Sequence, residues 1–263
     1  MQFDTFKPYT YLASSLLLES SLDSTELRLL YITLMIFREI ALIPARGGSR
    51  GIKRKNLAHV GGQSLLVRTI LAAKGADIFD RIYVSSEDMG ILEIAKSEGV
   101  STILRSNKAA LDTSTAADVV WDFLMSKSAK EYDSSEIRLT YLQPTSPFRG
   151  SEHILSAIAV ANHHISKSCV SICSVTKHPY KMVKVDGSSL HSIREYETSL
   201  ASNRQELPEF FIPNGAIYTF PVSRFLTDQD FPVIGSGYLH MSELTSIDID
   251  TEIDLIFANS LES

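Results

Sequence analysis

The sequence predicts a doubly wound α/β fold on a mostly parallel sheet. From Glu39 onward, short apolar runs of strand length alternate with segments of helical period, and the links between them are short. The most cationic, glycine-rich stretch of the chain directly follows the first of these strands, where open α/β sheets bind their ligands. Composition agrees. The 263 residues are 44% hydrophobic and 21% charged, which excludes a disordered or collagen-like chain. A chain this long buries roughly 70–75% of its unfolded surface and needs no disulfide or metal staple. The net charge of −6, from 25 basic against 31 acidic residues, argues against a nucleic-acid partner but not against a small anion held by local cations.

EIALIP (39–44) reads as a buried strand. SLLVRTILAAKGA follows with apolar Leu65, Leu66, Ile70, Leu71 and Ala73 at helical spacing. Arg81 to Ser86 is the next strand, and MGILEIAKSEG a second helix ending at Gly99. TILR is a short strand, and DTSTAADVVWDFLMSK begins with cap residues and continues as a third helix, with Trp121 read as core. RLTYLQP is a strand, SEHILSAIAVANHH a helix with Ser151 as its cap, and SCVSICSV another strand.

The rhythm then breaks. Residues 176–213 are polar and irregular, with a hairpin-like KMVKVDGSSLHSI whose Asp186-Gly187 pair suits a tight turn. An insertion of this length is more than a connector. GAIYTF, a short VSRFL helix, PVIGSGYLHM and a C-terminal helix beginning near Asp250 complete a domain spanning residues 38–263.

Residues 1–37 form an N-terminal extension. It has no basic start before an apolar stretch, as a signal peptide would. Its uncharged run Leu29 to Phe37 is far shorter than the roughly 20 residues of a membrane span. A short amphipathic helix packed on the domain and a true start at Met35 both fit. Cys169 and Cys173, four apart on one strand, are about 13 Å apart and read as core thiols of a reducing compartment. A cytoplasmic protein without membrane attachment is expected.

Four stretches carry chemistry. ARGGSRGIKRKN (45–56) places Arg46, Arg50, Lys53, Arg54 and Lys55 around Gly47, Gly48 and Gly51. Glycines allow close backbone approach, and successive N–H groups form an anion nest, so this is a polyphosphate site rather than a solvated basic turn. Its spacing matches neither the dinucleotide fingerprint nor the P-loop, which disfavours a nicotinamide-dependent oxidoreductase. In SIDIDTEIDL, Asp248 and Asp250 point to the same side of an extended segment, and hard oxygens beside a phosphate site suit Mg²⁺. Read alone, that segment is merely a helix cap; paired with the loop, it favours a metal. LQPTSPFR offers Gln143 at the end of a strand, and NRQELPEFFIPNGAIY offers Arg204 and an Asn-Gly entrance to another.

Together and in this order the four stretches resemble the acylneuraminate cytidylyltransferase family, over about Glu39 to Asn259. The family's opening motif carries Lys where this chain has Arg50, and relatives often carry Arg where Ile212 stands. The resemblance implies a Rossmann-like nucleotidyltransferase sheet, with residues 176–213 as a small inserted dimerisation subdomain. It implies a homodimer with shared active sites that joins CTP to a sialic-acid-type sugar, N-acetylneuraminic acid first, and releases pyrophosphate. By motif position, Arg46, Gly47, Gly48, Ser49, Arg50, Lys55 and Asn56 would hold the nucleotide, and Asp248 and Asp250 would hold Mg²⁺. Gln143, Lys181, Arg204 and Tyr218 would face the sugar, Lys181 and Arg204 from the neighbouring subunit. The catalytic set implied is Arg46, Arg50, Lys55 and Asp250. In-line attack of the anomeric hydroxyl on the α-phosphate then rests on positioning and on charge stabilisation. Enzymes for legionaminic, pseudaminic or Kdo-type acids are the sibling readings, Gly51 arguing against the pseudaminic branch. An inactive nucleotide-binding protein is the remote one.

Overall fold

A computed structural model describes residues 37–49, 51–126, 136–192 and 207–262. The fold is that of the unit Arg38–Ser263. The extension before Phe37, Arg50, and the stretch holding Arg204 lie outside the described residues.

Seven strands form one sheet: β1 (Arg38–Pro44), β4 (Arg81–Ser86), β5 (Ser101–Leu104), β6 (Ile137–Tyr141), β7 (Cys169–Ser174), β10 (Phe211–Pro221) and β11 (Gly237–His240), while β2 (His59–Val60) and β3 (Gln63–Ser64) pair with each other outside it. Their order is β11-β7-β10-β6-β1-β4-β5. β1 pairs in parallel with both β4 and β6, β4 with β5, and β7 with β11. Only β10 runs antiparallel, wedged between β6 and β7. The reason lies in the insertion. The chain leaves the carboxyl end of β7, makes an excursion, and re-enters the sheet at that same end, so its next strand must run downward.

Helices cover both faces. Consecutive residues of β1 point to opposite sides. Ala41 and Ile43 join Leu66 and Ile70 of α1 (Leu65–Gly75), Ile91 of α2 (Met89–Ser97) and Ile154 of α4 (Ser151–His163). Ile40 and Leu42 join Val120 and Phe123 of α3 (Ala116–Met125) and Phe225 of α5 (Val222–Asp228). Four consecutive buried residues in β1 are what a central strand covered on both faces requires. Trp121 packs on Phe225 with ring centroids 5.1 Å apart, so it belongs to the core, as expected. Cys169 is buried and its thiol is pushed up to about 12 by desolvation.

Local sequence explains most element ends. Asp88 caps α2 by accepting from the amides of Gly90 and Ile91. Thr115 and Asp118 form a reciprocal capping box on α3, and Thr251 with Asp254 does the same for α6 (Glu252–Ser260). One cap differs from expectation. Gly150, not Ser151, precedes α4, and its amide donates to His153 Nδ1 at 3.1 Å. His153 takes up Gly150's own amide, the half of a capping box that does not depend on a hydroxyl. The final helix starts at Glu252, two residues beyond Asp250.

Within the insertion, β8 (Val183–Asp186) and β9 (Ser189–Ser192) form the hairpin, with Gly187 at φ 58 opening its two-residue loop. No helix among the described residues is long and apolar enough to cross a membrane.

Candidate active site

The loop after β1 folds back on itself. Ala45 N–H donates to Ser85 O at 2.9 Å, continuing β1 beside the end of β4. Buried Asn56 donates through Nδ2 to Arg46 O at 2.9 Å and closes the loop from its far side. Arg54 sits in the left-handed region at φ 55, turning the chain into the short helical turn Lys55–Leu57. Asn56 thus acts on the loop itself.

The three loop glycines differ in what surrounds them. A Cβ at Gly51 would stand 2.3 Å from Asp250 O, so only glycine lets the loop lie against the aspartate segment. A Cβ at Gly47 would meet the Asp88 carboxylate at 2.6 Å, whereas Gly48 faces open space. Ile52, next to Gly51, packs with Val60, Leu65, Ile249 and Ala258 in a small separate core. This apolar contact fastens the loop to Asp248-Ile249-Asp250, some 200 residues away in the chain.

The charges then meet. Lys55 Nζ lies 2.8 Å from Asp250 Oδ1. Asp248 is half-buried, and its carboxyl is raised above the ordinary range by desolvation and by repulsion from Asp250 and Asp254, against a hydrogen bond from Thr145 and the pull of Lys55. Its Oδ1 is buried with no hydrogen-bond partner among the described residues. Arg46 Nη1 pairs with Asp112 Oδ1 at 2.8 Å, and Gly47 N–H donates to Glu87 Oε1 at 2.7 Å. That loop amide therefore already donates to a carboxylate, the chemistry expected of an anion nest.

Other segments close in from the neighbouring strands. Ile249 N–H donates to Thr145 O at 2.8 Å, tying the aspartate segment to the turn after β6. In that turn Gln143 Oε1 lies 2.7 Å from where a Cβ on Gly215 would be, and Gly215 has φ 79. Asn214 is held from both sides: its Oδ1 accepts from Ser171 Oγ at 2.6 Å, and its Nδ2 donates to Ser246 Oγ at 2.8 Å. Tyr218 is raised by desolvation and by the nearby Asp248 charge, which sets it on the aspartate side.

The structure thus brings together Arg46, Gly47, Lys55, Asn56, Asp248 and Asp250, and links Gln143 to the Asn214–Gly215 turn. Gly48 and Ser49 lie on the same loop, Gly48 exposed and Ser49 half-buried. Lys181 stands apart, exposed in the turn Pro179–Lys181, where it lines a shallow pocket of about 360 Å³ with Thr176, Lys177, His178 and Met182. Arg50 and Arg204 lie outside the described residues. Ile212, at the start of β10, is half exposed.

Three residues without an assigned role in the sequence belong to this region. Glu87, in the Ser85–Asp88 run at the end of β4, accepts from the Gly47 amide. Arg105 directly follows β5, is buried, and donates to Ser85 O at 2.6 Å and Ser85 Oγ at 3.1 Å. Desolvation lowers its pKa, opposed by Tyr141, Glu87 and Asp122 and assisted by Arg46. Arg149 is fully buried, with its pKa lowered to about 10 by desolvation. A cation at or just after the carboxyl end of a strand was the signal for Arg105 and Arg149.

Comparison with known proteins places this geometry. A cytidylyltransferase family model matches residues 40–207. An N-acylneuraminate cytidylyltransferase of Streptococcus agalactiae is 30% identical over 83% of this chain and 52% of its own length. This chain therefore spans about half the length of that relative. A CMP-N,N'-diacetyllegionaminic acid synthase of Legionella pneumophila is 31% identical over 85% of this chain and 96% of its own. A solved CMP:2-keto-3-deoxy-manno-octonic acid synthetase complexed with CTP shares the fold, with a TM-score of 0.61 at 12% identity over 85% of this chain and 98% of that one. With four motifs and one sheet leading to the same place, the chain belongs to the cytidylyltransferase family.

Proposed function

We propose that the chain joins CTP to a nine-carbon 2-keto acid sugar, N-acetylneuraminic acid in the first instance, and releases pyrophosphate. The observation that carries this reading is the seating of the phosphate loop on the aspartate pair, through Gly51 against Asp250 O and Lys55 Nζ on Asp250 Oδ1. Cationic loop and carboxylates are what a polyphosphate and its counter-ion need side by side.

In this reading Arg46, Arg50 and Lys55 neutralise the departing pyrophosphate, and the loop amides, Gly47 N–H among them, cradle phosphate oxygens. The buried Asp248 Oδ1 without a partner and the exposed Asp250 carboxylate fit a hard divalent ion, so these two would hold Mg²⁺. When bound, the ion supplies Lewis-acid neutralisation of phosphate charge. Gln143 and Tyr218 orient the sugar so that its anomeric hydroxyl lies in line with the α-phosphorus. The hydroxyl oxygen forms the new P–O bond, the bond to pyrophosphate breaks, and the hydroxyl proton passes to a base such as Asp250.

A homodimer through the inserted subdomain completes the reading. Val183, Val185 and Leu190 of the hairpin and Phe211 and Ile212 of β10 are all more than 40% exposed, an apolar area that suits a second copy. Lys181 on the same projection, with Arg204, would then serve the partner's site. A cytoplasmic setting accords with two free thiols.

A legionaminic-type acid is the second reading, favoured because the Legionella relative matches over nearly its whole length. The test is pyrophosphate release with CTP, Mg²⁺ and a panel of N-acetylneuraminic, legionaminic, pseudaminic and Kdo acids. Release with one acid, lost with chelator and in Asp250→Asn while the fold is retained, is the expected result. Equal use of ATP or turnover in chelator would overturn the mechanism. CTP binding without release from any acid would favour an inactive binding protein.

A further inference from the structure

Arg149 is 3% exposed, and no ion pair joins it to a carboxylate among the described residues. A fully buried arginine without such a partner is rare and costly. Its Nε makes no hydrogen bond among the described residues, and its Nη1 donates to Gln143 O at 3.0 Å and to Ala216 O at 3.4 Å.

Those two carbonyls are a telling pair. The β6–β10 ladder runs antiparallel with Tyr141 opposite Tyr218. Continuing that register two residues would put Gln143 opposite Ala216, yet pairing stops at Tyr141. On its other edge β10 is irregular between Pro213 and Tyr218. Buried carbonyls left where a ladder ends need other donors. One guanidinium nitrogen supplies them to both, bridging the residue Gln143 that follows β6 to the irregular stretch of β10 that carries Gly215. Across this gap the Gln143 amide rests on Gly215, in space that any Cβ would take.

We propose that Arg149 is a positioning residue for the acid-sugar side of the site: it clamps the turn after β6 to the irregular middle of β10 so that the Gln143 amide is seated on Gly215 and presented to the sugar. This rests on the functional reading above, in which Gln143 faces the sugar. It adds that a residue touching no ligand sets the affinity for one substrate and not the other.

The test measures KM for the acid, KM for CTP and kcat in wild type, Arg149→Lys, Gly215→Ala, Gln143→Ala, and each of the first two variants combined with Gln143→Ala. Arg149→Lys should raise the acid KM about tenfold, the worth of one well-placed hydrogen bond, and leave the CTP KM within about twofold. On the Gln143→Ala background it should add almost nothing. Gly215→Ala should give the same pattern without disturbing a buried charge, and it decides the matter if Arg149→Lys does not fold. Parallel rises in both KM values, or full additivity with Gln143→Ala, would overturn the proposal. If wild type turns over no acid, the functional reading fails. The clamp is then judged from crystal structures of wild type and both variants: a Gln143 amide displaced from Gly215 upholds it, and an unmoved amide overturns it.

Discussion

Gly51→Ala tests the seating of the loop most directly. The added Cβ would lie 2.3 Å from Asp250 O, a main-chain atom fixed by the neighbouring packing of Ile249 and Ile52. Ordinary contact needs about 1 Å more, so either the loop or the aspartate segment must retreat by that amount. Overpacking of this kind costs about 1–3 kcal/mol. At roughly 2–4 °C per kcal/mol for a chain of this size, the midpoint of thermal unfolding should fall by roughly 2–12 °C. The retreat also separates Lys55 from Asp250 and shifts the carboxylates, and a 1 Å displacement at a phosphoryl-transfer site costs about 100-fold in rate. Thermal unfolding and pyrophosphate release are read on the same preparation, with Gly48→Ala as the control for melting alone, because nothing lies within 4 Å of a Cβ there. Wild-type melting and wild-type turnover in Gly51→Ala would refute the close approach, and with it the reasoning that couples loop to aspartates.

Three further outcomes are expected. Asp248→Asn removes a half-buried charge that desolvation and neighbouring carboxylates disfavour, so in metal-free buffer it should melt higher, by about 0.5–2 kcal/mol, while losing pyrophosphate release; a lower melting point would contradict this account of Asp248. Thr115→Ala breaks the reciprocal cap of α3 and should cost about 1 kcal/mol in urea unfolding at neutral pH. Backbone and side-chain hydrogen bonds from Thr115 hold the Asp118 carboxyl below its ordinary 3.8, so that stabilisation is present above this value and fades as pH falls through the lower folded one; the difference between Thr115→Ala and wild type should therefore shrink in strong acid. Glu39→Gln strips the charge that accompanies buried Arg138 and should destabilise by about 3–5 kcal/mol, without altering the KM for CTP in whatever fraction stays folded.

Much of this molecule was legible from short windows of sequence. The strands β1, β4, β6 and β7, the helix periods and the capping pairs Thr115/Asp118 and Thr251/Asp254 arise from interactions spanning a few residues, and those residues lie together in the chain. The basic loop announced itself in the same way, because a nest needs consecutive amides and cations. Ser151 marks the limit even there: it reads as the cap, yet it is the helix's first residue, and Gly150 precedes it with its amide donating to His153 Nδ1.

Everything that joins segments required the tertiary fold. The antiparallel course of β10 follows from where the insertion returns, not from the alternation of FIPNGAIYTFP. Of three glycines that look alike in ARGGSRG, packing makes Gly51 indispensable, sets Gly47 against Asp88, and leaves Gly48 free. Lys55 meets Asp250, Glu87 meets the Gly47 amide, and Arg149 reaches Ala216 O, and no short window of sequence contains both members of any of these pairs. Period and propensity are local properties and can be read along the chain. Which distant groups share a desolvated space is settled only when strand register and core packing bring them there.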